Sequence, residues 1–145
     1  MSTLGNQRDI AAEHAKVLLA KSDMDSHDKG IIYIAKVLRD FGMEVIFIRY
    51  RIAEEAVEVA LQEDVDVIGL SFYGSGMIHD TSTVMKLLEK EGRDDIMVIL
   101  GGTIPDEYVP ELLKMGVSGV FRPGSPTKDV VQCITSWVLG KNKSK

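Results

Sequence analysis

The chain lacks the features that mark several large classes of protein. It has one cysteine among 145 residues, so no internal disulfide can form, and its polar first 14 residues contain no apolar stretch of the kind found in a secretory leader. No apolar run approaches the roughly 20 residues that span a bilayer. We therefore expect an intracellular, cytoplasmic protein that does not enter a membrane.

Positive charge is also scarce. Lysine and arginine total 17 against 22 aspartates and glutamates, which gives a formal net charge of −5 and a pI near 5.2. Such a surface repels a phosphate backbone, so nucleic acid is not an expected partner. With 45% hydrophobic and 27% charged residues, the composition predicts one ordinary folded domain rather than a disordered chain.

Five short apolar segments alternate with longer amphipathic ones. Most of the short segments are continuous apolar runs, which are typical of strands buried on both faces of a parallel sheet. The pattern predicts strands at 17–20, 45–48, 67–71, 97–100 and 119–121, and helices at 30–41, 54–63, 81–90, 107–115 and 128–138.

Five successive strand–helix units predict an α/β fold: a five-stranded parallel sheet with helices on both faces and the flavodoxin-like strand order 2-1-3-4-5. The expected domain spans residues 16–139, with flexible segments at 1–15 and 140–145.

Glycine is concentrated in the loops that follow the strands, at 21–30, 71–77, 101–105 and 122–126. In an open parallel sheet, ligands bind at this edge, near the point where the strand order reverses. Glycine at a strand end indicates that another group must approach the backbone closely. We therefore expect a binding site along the carboxyl edge of the sheet.

The first of these loops carries a carboxylate and a histidine two residues apart, Asp25 and His27. A carboxylate that accepts a hydrogen bond from one ring nitrogen fixes the tautomer and leaves the other nitrogen free to bind a metal. Lys21, at the strand end, is placed to hold Asp25 ionised. A helix cap or a solvated ring is the alternative for His27, and it is the expected state of His14 and His79.

Three motifs at strand ends carry a resemblance to a known family. Residues 25–30 fit the pattern D-x-H-x-x-G, residues 71–73 stand at an S-x-L position, and residues 101–102 stand at a G-G position. In this order and at these places, the motifs resemble those of the cobalamin (B12)-binding domain family. Over residues 16–138, the sequence looks most like the cobalamin-binding region of methylmalonyl-CoA mutase and related acyl-CoA mutases.

The resemblance implies that the cofactor is adenosylcobalamin, bound base-off. His27 would replace the cofactor's own base as the lower ligand of cobalt, Asp25 would hydrogen-bond that histidine, and Lys21 would complete the relay. The displaced nucleotide tail would enter a slot between sheet and helices, where Ser71 bonds the base and the glycine pair lies against the tail. The cofactor-binding residues implied in this way are Lys21, Asp25, His27, Asp28, Gly30, Ser71, Tyr73, Gly74, Gly101, Gly102, Gly124 and Ser125.

Two residues depart from the family pattern. Ser26 stands where this branch usually has glycine, which predicts a strained or differently bent loop. Tyr73 replaces the leucine of S-x-L, and a longer phenol there would change the shape of the slot for the base. Residues 74–79 also differ from the sequence that is usual in this branch of the family.

The sequence shows no acid–base pair or activated nucleophile of its own, whereas cobalamin brings its own chemistry. The resemblance therefore implies an isomerase subunit that is inactive alone and that works with a large TIM-barrel subunit, which binds the acyl-CoA substrate.

Other functions remain open. A corrinoid protein of a methyltransferase system shares D-x-H-x-x-G but normally has a helical cap before the domain, and only about 15 residues precede the first strand here. A stand-alone cobalamin carrier or sensor is a further alternative. A phospho-receiver domain is excluded, because it needs an aspartate at the end of the third strand and a lysine after the fifth, where this chain has Ser71 and Arg122.

Overall fold

The structure is a computed structural model that describes residues 14–74 and 76–143. Nearly all of the segment predicted to be flexible at the amino terminus, residues 1–13, lies outside the described residues. The elements are β1 (Lys16–Ser22), α1 (Lys29–Asp40), β2 (Glu44–Tyr50), α2 (Glu54–Glu63), β3 (Val67–Tyr73), α3 (Met77–Lys90), β4 (Met97–Thr103), a 3₁₀ turn (Asp106–Tyr108), α4 (Val109–Lys114), β5 (Gly119–Phe121) and α5 (Thr127–Lys143).

All five strands are parallel and lie in the order β2-β1-β3-β4-β5. This confirms the predicted fold class and strand order. The first four strands run two or three residues beyond their predicted ends, because polar and small residues there still pair across the sheet. Lys21 lies in register with both Arg49 and Ser71, and Ser71 lies in register with Gly101.

Three helices differ from the prediction, and α3 differs only in beginning at Met77, four residues before its expected start. The expected helix 107–115 is divided into a 3₁₀ turn and the short α4, because Pro110 has no amide hydrogen and fits only the first turn of an α-helix. At the other end, α5 continues through Gly140 to Lys143, where a flexible tail was expected. The Lys141 ammonium donates to a carboxylate oxygen of Asp66 at 2.9 Å, and this ion pair holds the helix end against the domain.

The sheet has two differently filled faces. On the closed face, the strands pack against α2, α3 and α4; on the groove face, they pack against α1 and α5. The alternation along β3 places Ile68, Leu70 and Phe72 in the core of the closed face, while Gly69 and Ser71 point to the groove face. Within the described part of the chain, no helix has the length and apolar character needed to cross a membrane.

Candidate functional site

The predicted site residues gather at the carboxyl ends of β1, β3 and β4. The chain passes from β1 outward to β2 and then returns to β3 on the other side of β1, so the strand order reverses between β1 and β3. This reversal opens a crevice at the carboxyl edge, where open parallel sheets bind ligands. The loop from β1 to α1 stands over the crevice.

His27 and Asp25 are joined by two hydrogen bonds within that loop. The His27 Nδ1–H and the His27 backbone N–H each donate to Asp25 Oδ1 at 2.9 Å. The bond at Nδ1 selects one tautomer and leaves the lone pair of Nε2 available for a metal. The imidazole is half exposed, whereas the Asp25 carboxylate is largely buried.

Lys21 is fully buried and lies beneath the loop. Its ammonium donates to the His27 carbonyl oxygen at 2.8 Å and to Asp28 Oδ1 at 2.7 Å, and it lies 3.5 Å from Asp25 Oδ2. The expected approach of Lys21 to Asp25 is therefore present as an ion pair, but the shorter contacts of Lys21 go to Asp28 and to the loop backbone. Lys21 therefore supports His27 in two ways: it holds the backbone of the loop, and it pairs with the Asp25 carboxylate that bonds the imidazole.

Arg49 joins this network and was missed in the sequence. Its guanidinium pairs with the second carboxylate oxygen of Asp28, so that Asp28 bridges Lys21 and Arg49. The signal was available: with β2 next to β1, the residue in register with Lys21 is Arg49. Two cations and two carboxylates therefore balance one another under the loop.

The two carboxyl groups ionise more readily than usual. Burial of Asp25 opposes its ionisation, but hydrogen bonds from His27 and the charge of Lys21 outweigh burial, so the pKa of Asp25 lies below its ordinary value. Hydrogen bonds from Lys21 and then Arg49 lower the pKa of Asp28. At neutral pH both groups are carboxylates, and Asp25 can accept both hydrogen bonds from His27.

A buried tyrosine on β2 lies close to this network and was also missed. The Tyr50 hydroxyl donates to Asp80 Oδ2 at 2.8 Å, which links the end of β2 to the first turn of α3. Burial, together with the carboxylates of Asp80 and Asp25, raises the pKa of Tyr50. The phenol therefore stays neutral and acts as a hydrogen-bond donor beneath the site.

An apolar groove of about 320 Å³ opens beside the loop, between the groove face of the sheet and helices α1 and α5. Its floor and walls include Leu19, Ile31, Ile99 and Phe121. Six of the predicted cofactor-binding residues line it: Gly30, Ser71, Gly101, Gly102, Gly124 and Ser125.

The two adjacent glycines of β4 are needed for different reasons. A Cβ on Gly101 would have only ordinary contact, 3.5 Å from the Phe121 carbonyl oxygen, so the backbone there tolerates a side chain and the absence of one leaves the groove open. A Cβ on Gly102 would lie 2.0 Å from the Phe72 carbonyl oxygen, at a φ of +101°. Gly102 is therefore required by the fold itself.

Two predicted site residues neither line the groove nor form hydrogen bonds in the network under the loop. Gly74 follows β3 at a φ of +94° and is exposed. Tyr73, expected to change the slot for the base, is not among the described residues that line the groove. Its ring stacks on the His27 imidazole instead, with 3.5 Å between ring centroids and 16° between ring planes.

The expected strain at Ser26 is absent. Asp64 is the one described non-glycine residue with a positive φ, so Ser26 lies in an ordinary backbone region. Ser26 is exposed, and both hydrogen bonds between Asp25 and His27 are present with serine at this position.

Comparison with known proteins relates this chain to cobalamin proteins. Residues 15–131 match the family model of the B12 binding domain. The chain is 39% identical over 127 residues to the 2-hydroxyisobutanoyl-CoA mutase small subunit of Aquincola tertiaricarbonis, which covers 87% of this chain and 93% of that protein. It is 36% identical over 122 residues to the pivalyl-CoA mutase small subunit of Xanthobacter autotrophicus, with 83% and 82% covered.

A longer relative is matched over part of its length. The methylmalonyl-CoA mutase of Rhizobium meliloti is 32% identical to this chain over 142 residues. The alignment covers 97% of this chain and 20% of that protein.

Solved structures agree on the fold. A cobalamin-binding protein from Desulfitobacterium hafniense superposes with a TM-score of 0.72 at 24% identity, covering 86% of this chain and 59% of that one. A Francisella response-regulator receiver domain gives 0.66 at 19% identity, covering 88% and 99%. Likeness at this level shows a shared architecture. The match to the family model over residues 15–131, together with the relatives aligned over most of their length, shows that the chain belongs to the B12-binding domain family.

Proposed function

We propose that this chain is the cobalamin-binding subunit of an adenosylcobalamin-dependent acyl-CoA mutase, an isomerase completed by a separate large TIM-barrel subunit that binds the acyl-CoA. The two relatives that it matches over most of their length are both named as small subunits of acyl-CoA mutases. The observation that carries the proposal is the His27 imidazole, oriented through Nδ1 and half exposed, in a loop that leads to Gly30 on the wall of an apolar groove.

The residues present fit cobalamin. The lone pair of Nε2 is of the type that binds cobalt, and the carboxylate on the other nitrogen strengthens imidazole as a donor. The groove has the apolar floor and the glycine wall that a flat heteroaromatic base and its linker require, with the Ser71 hydroxyl as a polar partner. When bound, adenosylcobalamin supplies a weak cobalt–carbon bond whose homolysis starts radical rearrangement.

The chain's own residues bind and orient the cofactor. Asp25 fixes the imidazole, Lys21 fixes the loop backbone, and Gly101, Gly124 and Ser125 leave room for the nucleotide tail. In a neutral imidazole, the hydrogen bond to Asp25 places the proton on Nδ1, so that Nε2 is the nitrogen that can bind the metal.

The carboxyl edge is left uncovered and carries exposed apolar side chains. One exposed apolar side chain lies at the carboxyl end of each of the first three strands. These are Met24 after β1, Ile52 after β2 and Tyr73 at the end of β3, which are 89%, 56% and 51% exposed. Clustered exposed apolar groups at one edge favour an interface with another protein. Because radical chemistry requires that water be excluded, we expect no isomerisation of an acyl-CoA by this chain alone.

The first prediction tests ligation by His27. The chain is labelled with ¹⁵N-histidine, loaded with cob(II)alamin as a probe, and studied by electron paramagnetic resonance. A protein nitrogen on cobalt changes the nitrogen splitting from a triplet to a doublet, because ¹⁴N and ¹⁵N differ in nuclear spin. We expect the doublet in the native chain and its loss in His27→Ala.

His79→Ala is the matched control, since His79 is exposed in the first turn of α3. It should keep the doublet. A triplet in the native chain, from the cofactor's own base, would overturn the proposed function. An acyl-CoA mutase assay with the large subunit then distinguishes a mutase from a carrier or a methyl-transfer protein, neither of which isomerises an acyl-CoA.

A further inference from the structure

The groove-facing side of β3 ends in an aromatic residue that contacts the histidine. Successive residues on one side of a strand are two apart, so Gly69, Ser71 and Tyr73 form one row. Gly69 and Ser71 line the groove, and Tyr73, the last residue of β3, lies above them against His27. The row thus leads from the floor of the groove to the imidazole.

The hydrogen bonds from His27 to Asp25 leave one motion of the ring unrestrained. A bond at Nδ1 fixes that atom, but the imidazole can still tilt about the line that joins Nδ1 to the carboxylate oxygen. Tyr73 covers a face of the ring with its plane only 16° from that of the imidazole. A near-parallel contact on the face opposes this tilt, which otherwise changes the direction of the Nε2 lone pair.

We propose that Tyr73 is a positioning residue for the cobalt ligand: its ring fixes the plane of the His27 imidazole and thereby aims Nε2. The inference rests on the proposed function, because aiming Nε2 matters only if His27 binds the metal. It explains the departure from the leucine of the family motif as a change that acts on the ligand rather than on the slot for the base.

The stack also suits the charge of a ligated ring. An imidazole that donates its lone pair to a metal gains partial positive charge, and the face of a phenol ring attracts positive charge. Leucine supplies bulk at this place but no ring face. The Tyr73 hydroxyl has no hydrogen-bond partner among the described residues, so the ring, rather than the hydroxyl, carries the effect and phenylalanine should replace it.

The test compares Tyr73→Phe, which keeps a ring, with Tyr73→Leu, which restores the family residue. Tyr73→Ala is a second variant without a ring, and Tyr108→Leu removes another exposed tyrosine that lines neither the groove nor the stack. Because Tyr73 and Tyr108 are both exposed, all four variants should fold, and far-ultraviolet circular dichroism checks this.

The first readout needs no cofactor. The ring current of Tyr73 shifts the carbon-bound ring protons of His27 upfield in the nuclear magnetic resonance spectrum. We expect this upfield shift in the native chain, in Tyr73→Phe and in Tyr108→Leu, and its loss in Tyr73→Leu and Tyr73→Ala. A shift that survives in the leucine variant would overturn the stack and the inference with it.

The second readout is the fraction of bound cob(II)alamin that carries a protein nitrogen. Ring–ring contacts of this kind are worth enough to change an equilibrium between about twofold and tenfold. We expect ligation to weaken by that factor in Tyr73→Leu and to stay within about twofold of native in Tyr73→Phe. Native ligation in the leucine variant would overturn the positioning role and leave the proposed function standing. Absence of protein nitrogen in the native chain would overturn both.

Discussion

The two faces of this sheet are built from the same strands and differ in the side chains at the carboxyl ends of those strands. On the closed face, large apolar side chains continue to the carboxyl edge, where Phe72 and Ile104 are buried. On the groove face, the equivalent positions hold Gly69, Ser71 and Gly101, and a cavity of about 320 Å³ remains.

Neighbouring residues on one strand therefore serve different purposes. Phe72 fills the closed face, whereas Ser71 and Tyr73, on either side of it, meet the groove and the histidine. Because side chains alternate between faces, a strand can contribute to the core and to a ligand site over the same few residues. Stability and binding should thus be separable by single substitutions one residue apart.

The largest expected effect is on the closed face. Phe72→Ala should lower the free energy of unfolding by about 3–5 kcal/mol, because it removes a buried ring and leaves a cavity. Urea denaturation followed by circular dichroism measures the change, and cofactor affinity of the folded fraction should stay near native. Leu113→Ala, at a position that is 48% exposed, is the control. A loss below about 1 kcal/mol for Phe72→Ala would contradict the role of the closed face as the stabilising core.

An intermediate effect is expected on the groove face. Gly101→Val places a branched side chain where a Cβ has room, so the free energy of unfolding should change by no more than about 1 kcal/mol. The side chain would occupy part of the groove, and cobalamin affinity should fall at least about tenfold, or 1.4 kcal/mol. Titration of the cofactor's absorption measures binding. Gly101→Ala should weaken binding less, and equal effects of alanine and valine would contradict filling of the groove as the cause.

The smallest effect is expected for Ser71→Ala. If the Ser71 hydroxyl bonds the base in the groove, its loss should remove one net hydrogen bond of about 0.5–1.5 kcal/mol, or about two- to tenfold in affinity. The free energy of unfolding of Ser71→Ala should stay within about 0.5 kcal/mol of that of the native chain. Ser136→Ala, on an exposed part of α5, should leave cobalamin titrations unchanged. Unchanged binding in Ser71→Ala would remove the hydroxyl from the site while leaving the groove.

Sequence patterns predicted the sheet because its strands are apolar runs and its connections are helices. They also brought Asp25 and His27 together, since a spacing of two in a loop permits the hydrogen bonds that the structure contains. Arg49 was missed although the strand order was predicted, because its place beside Lys21 depends on the register of β2 against β1.

Other features could not be predicted from local pattern. The contact of Tyr73 with His27 depends on the path of the six-residue loop 23–28 over the sheet, and no local rule specifies that path. The extension of α5 depends on an ion pair between Lys141 and Asp66, residues 75 positions apart. The need for glycine at 102 arises from the carbonyl of Phe72 on the adjacent strand.

The bond from the Lys21 ammonium to the His27 carbonyl has a consequence for the thermodynamics of cofactor capture. Fixing one residue's backbone costs roughly 1–2 kcal/mol in conformational entropy. Because a lysine rooted inside the sheet already restrains the loop, that cost is met when the protein folds and does not weaken the affinity for cobalamin. The loop is thus preorganised before the cofactor binds. Ordering of the chain should therefore contribute little to the heat-capacity change on cobalamin binding.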